Sequence, residues 1–358
     1  WLPISKPSSK SSTPFEMSGR SSIVILIAAL LLPAILTAAE LRWPLEENPI
    51  AKGRPYTSYV QPTASGKDES ALFGCVRNDG RRFHEAVDIA PVKPRRKGEA
   101  TDPILAIHDG IVTHISNVSG NSSYGRYVVL EHPGLNLQVY TLYAHLSKVE
   151  AGLSLGQIVK AGERIGTMGR SAGGYTIPRS RSHLHLEIGL RLSDDFNEWY
   201  RRQAYTTPNK HGNFNGMNLI GWDPVDYYQA WESGRASSPL EYLERLRPAV
   251  MVHVQTDQRP DFAVRYPELV LPGCPTGDQA GWEVLLSPWG MPLSLKPLAK
   301  AELRGVRKPG DINVVGVDRK ALGAYACRRI IEESKGKVSL GSGGAMVLEM
   351  LFMPDPRG

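Results

Sequence analysis

The side chains that could carry out chemistry concentrate in three short stretches, and HLHLEI at residues 183–188 is the most informative. Side chains alternate between faces along a β-strand, so His183, His185 and Glu187 share one side of the expected strand. The leucine and isoleucine side chains between them share the other side. One face is therefore predicted to be apolar, whereas the other carries imidazoles and a carboxylate that can bind a metal or move protons.

The stretch HEAVD supplies a further imidazole and a further carboxylate. In an extended segment His84 and Asp88 point to the same side, with a small residue between them that leaves room for an ion. If this segment lies beside the first, His84, Asp88 and His185 converge. Two histidines and one carboxylate leave the fourth position of a tetrahedral zinc site open, and the same set also suits non-haem iron. Two further histidines, His145 and His183, favour hydrolysis over oxygen chemistry.

A series of short β-like runs must position these residues. Across residues 73–231 apolar runs alternate with Gly, Asn and Pro turns, which predicts an all-β body with little helix. Within it, residues 156–166 are expected to form two short strands that turn at Ala161 and Gly162, where glycine supplies a positive φ. Strands are expected at residues 104–107, 110–115, 127–131, 138–144, 157–159 and 183–190.

Two further regions flank this body. Residues 40–72 are rich in proline and polar residues and are expected to form an extended lead-in. A break in the pattern between residues 231 and 239 predicts a domain boundary, and residues 240–358 are expected to form a small α+β domain without a functional motif. Its expected elements are strands at 250–254, 282–286 and 345–352, and an amphipathic helix over 318–333.

The N-terminal segment has the pattern of a secretory signal peptide. Met17 is followed by Arg20, by an apolar run over residues 23–36 and by small residues at 37–39. These features predict cleavage near Ala39 and export to a periplasmic or extracellular location. The alternative is a membrane anchor, but the run is shorter than the roughly 20 residues that span a bilayer. No stable membrane span is therefore expected after cleavage.

The composition is that of a globular protein, with 358 residues of which 41% are hydrophobic and 22% are charged. The formal net charge is +6. This mild basic bias suits an anionic polymer such as a cell wall, and it equally suits a solvated surface without a partner. No basic stripe interleaved with aromatic residues is present in the sequence, so nucleic acid is not expected as a partner.

The chain contains three cysteines. An oxidising compartment favours one disulfide and one remaining thiol. Cys274 and Cys327 are the expected pair because both lie in the C-terminal third, which leaves Cys75 as the remaining thiol. None of the three has the spacing of a metal ligand.

FHEAVDIA, YAHLS and HLHLEI, in this order and with VKAGERIG between the last two, resemble the lysostaphin-type (LytM-like) zinc metalloendopeptidases of peptidoglycan. The resemblance covers roughly residues 73–231. It implies a mainly β fold, a lysostaphin-like antiparallel domain with a duplicated hybrid motif, ahead of the small α+β domain. It also implies one Zn²⁺ per chain. The implied metal ligands are His84, Asp88 and His185, and the implied catalytic residues are His145 and His183.

The function that this resemblance implies is hydrolysis of peptide bonds in peptidoglycan stems or cross-bridges by a metal-activated water. Glu187 is a candidate to orient a ligating histidine, although a plain strand carboxylate is an equal alternative. A non-catalytic module that binds the wall or regulates an amidase is the alternative from another class of protein. Cleavage of a secreted protein with glycine-rich stretches is a third possibility. Residues 170–182 are longer than the corresponding loop of the family, so the preferred bond is not predicted.

Overall fold

The structure is a computed structural model, and it describes residues 40–93 and 98–352. These residues belong to one compact unit. The predicted signal peptide at residues 1–39 lies outside the described residues. Within the described ranges, none of the helices combines the length and the apolar character that crossing a bilayer requires.

Strands dominate the part of the chain up to residue 221. They are β1 (Gly74–Arg77), β2 (Arg82–His84), β3 (Val87–Ile89), β4 (Pro103–Leu105), β5 (Gly110–Ser116), β6 (Tyr127–His132), β7 (Val139–Ala144), β8 (Lys148–Val149), β9 (Ile158–Val159), β10 (Arg164–Thr167), β11 (Leu184–Arg191) and β12 (Leu219–Gly221). The helix α1 (Phe196–Arg202) lies between β11 and β12.

The remaining chain mixes helices and strands. Its helices are α2 (Pro224–Glu232), α3 (Pro239–Arg245), α4 (Asp261–Arg265), α5 (Arg319–Gly323) and α6 (Ser342–Phe352). Its strands are β13 (Val250–Val254), β14 (Gln279–Leu286), β15 (Pro292–Ala299), β16 (Ile312–Val317), β17 (Ile331–Ser334) and β18 (Lys337–Leu340).

A seven-stranded sheet forms the centre of the molecule, with strand order β12-β11-β7-β6-β5-β9 and with β3 paired to β11. All of its pairings are antiparallel. Every residue of β7 is buried, and so are the first seven residues of β11. Strands covered on both faces favour the long runs of Val, Leu and Tyr that this sequence places there. The prediction of a mainly β, antiparallel fold is confirmed.

The pairing of β3 with β11 brings the two chemical stretches together. Asp88 lies directly opposite His185 in this ladder. The HEAVD stretch is not one continuous strand, however, because β2 ends at His84 and β3 begins at Val87. Ala86 lies at the bend between them and is fully buried. The bend itself therefore requires a small residue at position 86, independently of any bound ion.

The two strands predicted within residues 156–166 are present as β9 and β10, and Gly162 has a φ of +84° at the turn between them. They do not pair with each other. Strand β9 extends the seven-stranded sheet, whereas β10 is the middle strand of a three-stranded sheet with β4 and β8. The turn therefore carries the chain from one sheet to the other.

The C-terminal region contains a four-stranded sheet, β15-β14-β13-β16, and the hairpin β17-β18. The strands expected at 250–254 and 282–286 are present. The helix expected over 318–333 is wrong beyond Gly323: Arg329 adopts a left-handed φ of 51°, which ends the following turn, and residues 331–334 form β17. The strand expected at 345–352 is also wrong. Strong helix formers fill this run, and it forms α6.

The expected disulfide between Cys274 and Cys327 is wrong. Cys327 pairs with Cys75, with the Cα atoms 5.9 Å apart, and Cys274 is a half-buried free thiol. Pairing depends on the distance in space, and nearness in sequence is a poor guide to it. The turn that contains Cys327 folds back against β1 and β2, so a residue 252 positions earlier is its neighbour.

The lead-in and the C-terminal region both contribute to one continuous apolar core with the central sheet. From the lead-in, Trp43 is 4.8 Å from Tyr228 between ring centroids. From the C-terminal region, Trp289 donates its Nε1 hydrogen to the Gly221 carbonyl at 2.7 Å. The predicted division at residues 231–239 lies between α2 and α3, and it stays a prediction.

Candidate metal centre

Three polar side chains converge where β2, β3 and β11 meet. His84 Nε2 lies 3.2 Å from Asp88 Oδ1 and 3.3 Å from His185 Nδ1, and the third side of this triangle, between His185 Nδ1 and Asp88 Oδ1, measures 3.0 Å. Ligands at 2.0–2.2 Å from a tetrahedral zinc ion stand about 3.3–3.6 Å apart. The observed separations approach this range. His84, Asp88 and His185 are hereafter called the metal triad.

The outer nitrogen of each triad imidazole is fixed by a neighbouring acceptor. His84 Nδ1 donates to the Leu72 carbonyl at 2.8 Å, and His185 Nε2 donates to Glu187 Oε1 at 3.1 Å. Each of these hydrogen bonds leaves the other ring nitrogen pointing into the triangle, where it can offer a lone pair. This is the arrangement that metal-binding histidines require.

Glu187 is buried and makes three polar contacts. Besides the bond from His185, it accepts hydrogen bonds from the hydroxyls of Tyr124 at 2.6 Å and of Tyr140 at 2.9 Å. A carboxylate with a relative exposure of 1% needs such partners because burial disfavours its charge. Of the two alternatives that the sequence left open for Glu187, the contact favours orientation of His185.

The charges of the triad are strongly coupled. Burial alone raises the pKa of Asp88, but His84, His183 and Arg77 outweigh it and hold the pKa of this carboxyl well below its ordinary value. Burial lowers the pKa of His185, and hydrogen bonds to Asp88 and Glu187 reverse this effect and raise it to about 9. A metal ion at this place therefore displaces a proton from His185.

Two more imidazoles border the triad. The ring centroid of His145 lies 4.8 Å from that of His183 and 5.5 Å from that of His185. His183 Nε2 is 3.6 Å from Asp88 Oδ1. His145 Nδ1 donates to the Ser171 carbonyl at 2.8 Å, and His183 Nδ1 donates to the Arg181 carbonyl at 2.7 Å. Both rings therefore keep Nε2 as an acceptor. Burial lowers the pKa of both, so both are neutral at pH 7.

The backbone at His145 is held in an unusual conformation. Its φ of 60° is in the left-handed region, which non-glycine residues seldom adopt and which recurs at functional sites. The His145 N–H donates to the Tyr124 carbonyl at 3.0 Å, and this bond anchors the turn. A Cβ atom at Gly125 would lie 2.2 Å from the Ser171 carbonyl oxygen that holds the imidazole. Glycine is thus required for the loop of Ser171 to approach.

Arg77 was not predicted from the sequence, yet it contacts two members of the triad. Its Nη2 donates to His84 Nε2 at 2.8 Å and forms an ion pair with Asp88 Oδ2. This guanidinium is a positive charge next to the atoms that would hold a metal. No local pattern identifies it, because Arg77 lies on β1 and reaches the triad only through the pairing of β1 with β2.

Two cavities flank the triad. One, of about 400 Å³, is bordered by His145, His185 and residues of the C-terminal region, and is hereafter called the arginine cavity. The other, of about 770 Å³, is bordered by Asp88, His183 and the lead-in between Gln61 and Glu69. An extended chain that crosses the triad would thus enter a cavity on each side.

Residues 82–196 match the sequence profile of Peptidase family M23, and this part of the chain is a Peptidase family M23 domain. The matched range contains the three residues of the metal triad and the two neighbouring histidines, His145 and His183. No curated protein sequence matches the chain.

Solved structures with similarity to the chain include a zinc-containing peptidase from Vibrio cholerae and the catalytic domain of the antimicrobial peptidase lysostaphin from Staphylococcus simulans. The first is 25% identical, with a TM-score of 0.28, over 42% of this chain and 36% of its own length. The second is 22% identical, with a TM-score of 0.26, over 42% of this chain and 80% of its own. The similar part thus spans about a third of the Vibrio cholerae peptidase.

The structure brings all five predicted site residues into one place. His84, Asp88 and His185 form the only group of three or more potential metal ligands within the described ranges. His145 and His183 lie beside it. Their roles as ligands and as catalytic residues stay predictions, and the proposal below is built on their geometry.

Proposed function

We propose that residues 73–231 form a zinc-dependent endopeptidase that hydrolyses peptide bonds in the stems or cross-bridges of peptidoglycan. The observation that carries this proposal is the triangle of two imidazole nitrogens and one carboxylate oxygen, with sides of 3.0–3.3 Å, beside two more imidazoles. The match to Peptidase family M23 supports the same reaction and the same polymer. The signal-peptide pattern before Ala39 supports export to the bacterial envelope.

The metal triad is the proposed holder of one Zn²⁺, through His84 Nε2, Asp88 Oδ1 and His185 Nδ1. Two nitrogen donors and one oxygen donor suit zinc and leave a fourth position for solvent or substrate. When bound, the ion supplies Lewis acidity, which polarises a carbonyl group and lowers the pKa of a water molecule to near 7. Glu187 keeps His185 in the tautomer that can bind it.

His145 and His183 share the proton transfers in this proposal. Because each donates its Nδ1 hydrogen to a main-chain carbonyl, each has an unprotonated Nε2 that can accept a proton from the attacking water. The imidazole that gains the proton can then give it to the leaving amine. The other imidazole can be a hydrogen-bond donor to the developing oxyanion when it is protonated. The geometry is compatible with either assignment of the two roles.

The test combines metal analysis with a digest of purified cell wall by the full chain. We expect about one zinc per chain and release of new amino termini, and mass spectrometry of the fragments names the bond. In His185→Ala both the zinc and the release should fall by more than about tenfold. His253→Ala is the matched control, because His253 is also buried and contacts a carboxylate, that of Glu283, but lies outside the metal triad.

Two outcomes would overturn the proposal. Absence of zinc from the wild-type chain after equilibration with the metal would remove the site itself. Stoichiometric zinc without any released amine would indicate the alternative, a module that binds the wall. Cleavage of glycine-rich proteins without cleavage of the wall would change the proposed substrate. The proposed reaction, zinc-dependent hydrolysis of peptide bonds, would remain.

A further inference from the structure

The C-terminal region contributes a wall of the arginine cavity, next to the metal triad. Trp289, Arg328, Met346 and Val347 line this cavity together with His185. None of these four residues lies within the part that matches Peptidase family M23. The region without a functional motif thus reaches the candidate active site.

Arg328 is held firmly in that wall. Its neighbour Cys327 is bonded to Cys75 on β1. Its guanidinium carbon lies 4.8 Å from the centre of the Phe83 ring, and its Nε donates to the Trp289 carbonyl at 3.0 Å. A cation over an aromatic face and a hydrogen bond at Nε together fix the plane of the guanidinium. Among residues 40–93 and 98–352 the hydrogen bond of this side chain is the one at Nε, so its two Nη groups are available to a ligand.

The cavity has an excess of positive charge. Arg82 and Arg328 both line it, and neither forms an ion pair with a carboxylate among residues 40–93 and 98–352. Among the described residues, Glu85 is the one carboxylate in the lining, and its charge acts on Arg328. The third arginine, Arg77, is paired with Asp88 outside the lining. The half-buried Arg328 and the exposed Arg82 against the single carboxylate of Glu85 leave a net positive charge. Such an excess favours an anionic ligand, and carboxylates suit the planar fork of a guanidinium.

We propose that Arg328, assisted by Arg82, binds a carboxylate of the substrate in the arginine cavity. This inference rests on the proposed function, and it makes the ligand a peptide that carries a free carboxylate on one side of the cleaved bond. The carboxylate can belong to the end of the peptide chain or to an acidic side chain. The C-terminal region then determines specificity, and the triad performs the hydrolysis.

The test measures binding of three short peptides to the zinc-loaded full chain by calorimetry. The peptides are acetylated trialanine with a free C-terminal carboxylate, its carboxamide, and an acetylated Ala-Glu-Ala carboxamide. We expect at least one of the two carboxylate peptides to bind about tenfold more tightly than the trialanine carboxamide, in line with a charge-assisted hydrogen-bonded pair. Whichever of them gains affinity identifies the source of the carboxylate.

Arg328→Gln should abolish this preference and leave the affinity for the trialanine carboxamide within about twofold. Arg329→Gln is the matched control, because Arg329 is exposed, adjacent and outside the cavity lining, and it should keep the preference. Arg328→Lys keeps the charge and should keep part of the preference. If Arg328→Gln does not fold, as judged by circular dichroism, Arg82→Gln in the same cavity provides the measurement and should weaken the preference for carboxylate peptides.

An equal affinity of the wild-type chain for all three peptides would refute the inference, as would a preference that survives in Arg328→Gln and Arg82→Gln. The second result would assign carboxylate binding to the metal. The affinity comparison does not depend on cleavage of the wall, so a failed wall digest with an intact Arg328 effect refutes only the peptidase. A successful digest without carboxylate preference refutes only the subsite.

Discussion

Two groups of buried histidines lie in the same β body, and only one of them has the geometry of a reactive site. In the metal triad, ring nitrogens and a carboxylate converge. In the second group, here called the neutral pair, His108 and His132 have ring centroids 5.5 Å apart. The comparison shows that neither burial nor proximity of imidazoles makes a metal site. What differs is where each nitrogen finds its partner.

In the neutral pair the partners are neutral groups. His108 Nδ1 donates to the Glu40 carbonyl at 2.5 Å, and His132 Nδ1 donates to the Asp109 carbonyl at 2.8 Å. His132 Nε2 bonds the Thr141 hydroxyl at 2.8 Å. The carboxylate of Asp109 is engaged by Lys160 at the surface. His108 and His132 therefore connect loops to the sheet, whereas the triad histidines contact charged carboxylates.

The largest expected difference is catalytic. His183→Ala and His145→Ala should each lower the rate of peptide release by about 10²–10⁴-fold, because each removes a group to which the proposed function assigns a proton transfer. Zinc content should be unchanged in both. His108→Ala should leave the rate per folded molecule within about twofold. Full activity in both of the first two variants would contradict the distinction between the groups.

The next effect is the pH dependence of stability. Burial lowers the pKa of His132 to about 4 and that of His108 to about 3. Between about pH 6.5 and pH 4 the unfolded chain binds protons that the folded chain excludes, so the free energy of unfolding falls as the pH falls. For His132 alone the loss is about 3 kcal/mol over this interval.

Urea unfolding at pH 7, 6, 5 and 4.5 measures this loss. His132→Gln removes the titrating group and should flatten the pH dependence relative to the wild-type chain, whatever its stability at pH 7. Parallel curves for the two proteins would mean that folding does not shift the pKa of His132. That result would break the description of this group as a neutral pair.

A smaller effect is expected at the carboxylate that orients the triad. Glu187→Gln keeps the size of the side chain and removes the charge that accepts the His185 hydrogen. Zinc affinity should fall by about 10–100-fold, as is typical when such a partner is lost. Competition with a chromophoric chelator gives the dissociation constant. Tyr140→Phe is the control: it removes one donor to Glu187 and should cost less.

The smallest expected effect is on zinc affinity, and it tests how the charge of Arg77 acts on the metal triad. Arg77→Gln removes a positive charge that contacts His84 and Asp88, so zinc affinity should rise by roughly tenfold. The same chelator titration detects it. A fall in affinity would instead assign Arg77 to orientation of the ligands. Arg81→Gln, in the turn between β1 and β2 and exposed, should have no effect.

The convergence of His84, Asp88 and His185 could be anticipated from the sequence because the information for it is local. Alternation along residues 183–188 places His183 and His185 on one face, and the spacing of His84 and Asp88 supplies the rest. The pairing of β3 with β11 was a condition of that prediction, and the structure fulfils it. Glu187 could be proposed as a partner of His185 for the same reason, since the two are two residues apart on one strand.

Long-range contacts could not be predicted in this way. Arg77 reaches the triad, and Cys75 reaches Cys327, only after distant segments have packed together. The periodicity of residues 318–333 suggested one helix, but the packing of Cys327 on β1 interrupts it. In the same region the run at 345–352 is apolar except for Glu349 and lacks the alternation of a half-buried strand. Its length and composition suit the helix that forms.

The cross-link between Cys75 and Cys327 makes a covalent ring of most of the described chain, since the two residues are 252 positions apart. A single peptide bond cut anywhere inside that ring leaves one molecule until a reductant is added. A protease that nicks an exposed loop between them therefore does not release the C-terminal region. Such nicked forms would migrate as one band without reductant and as two with it.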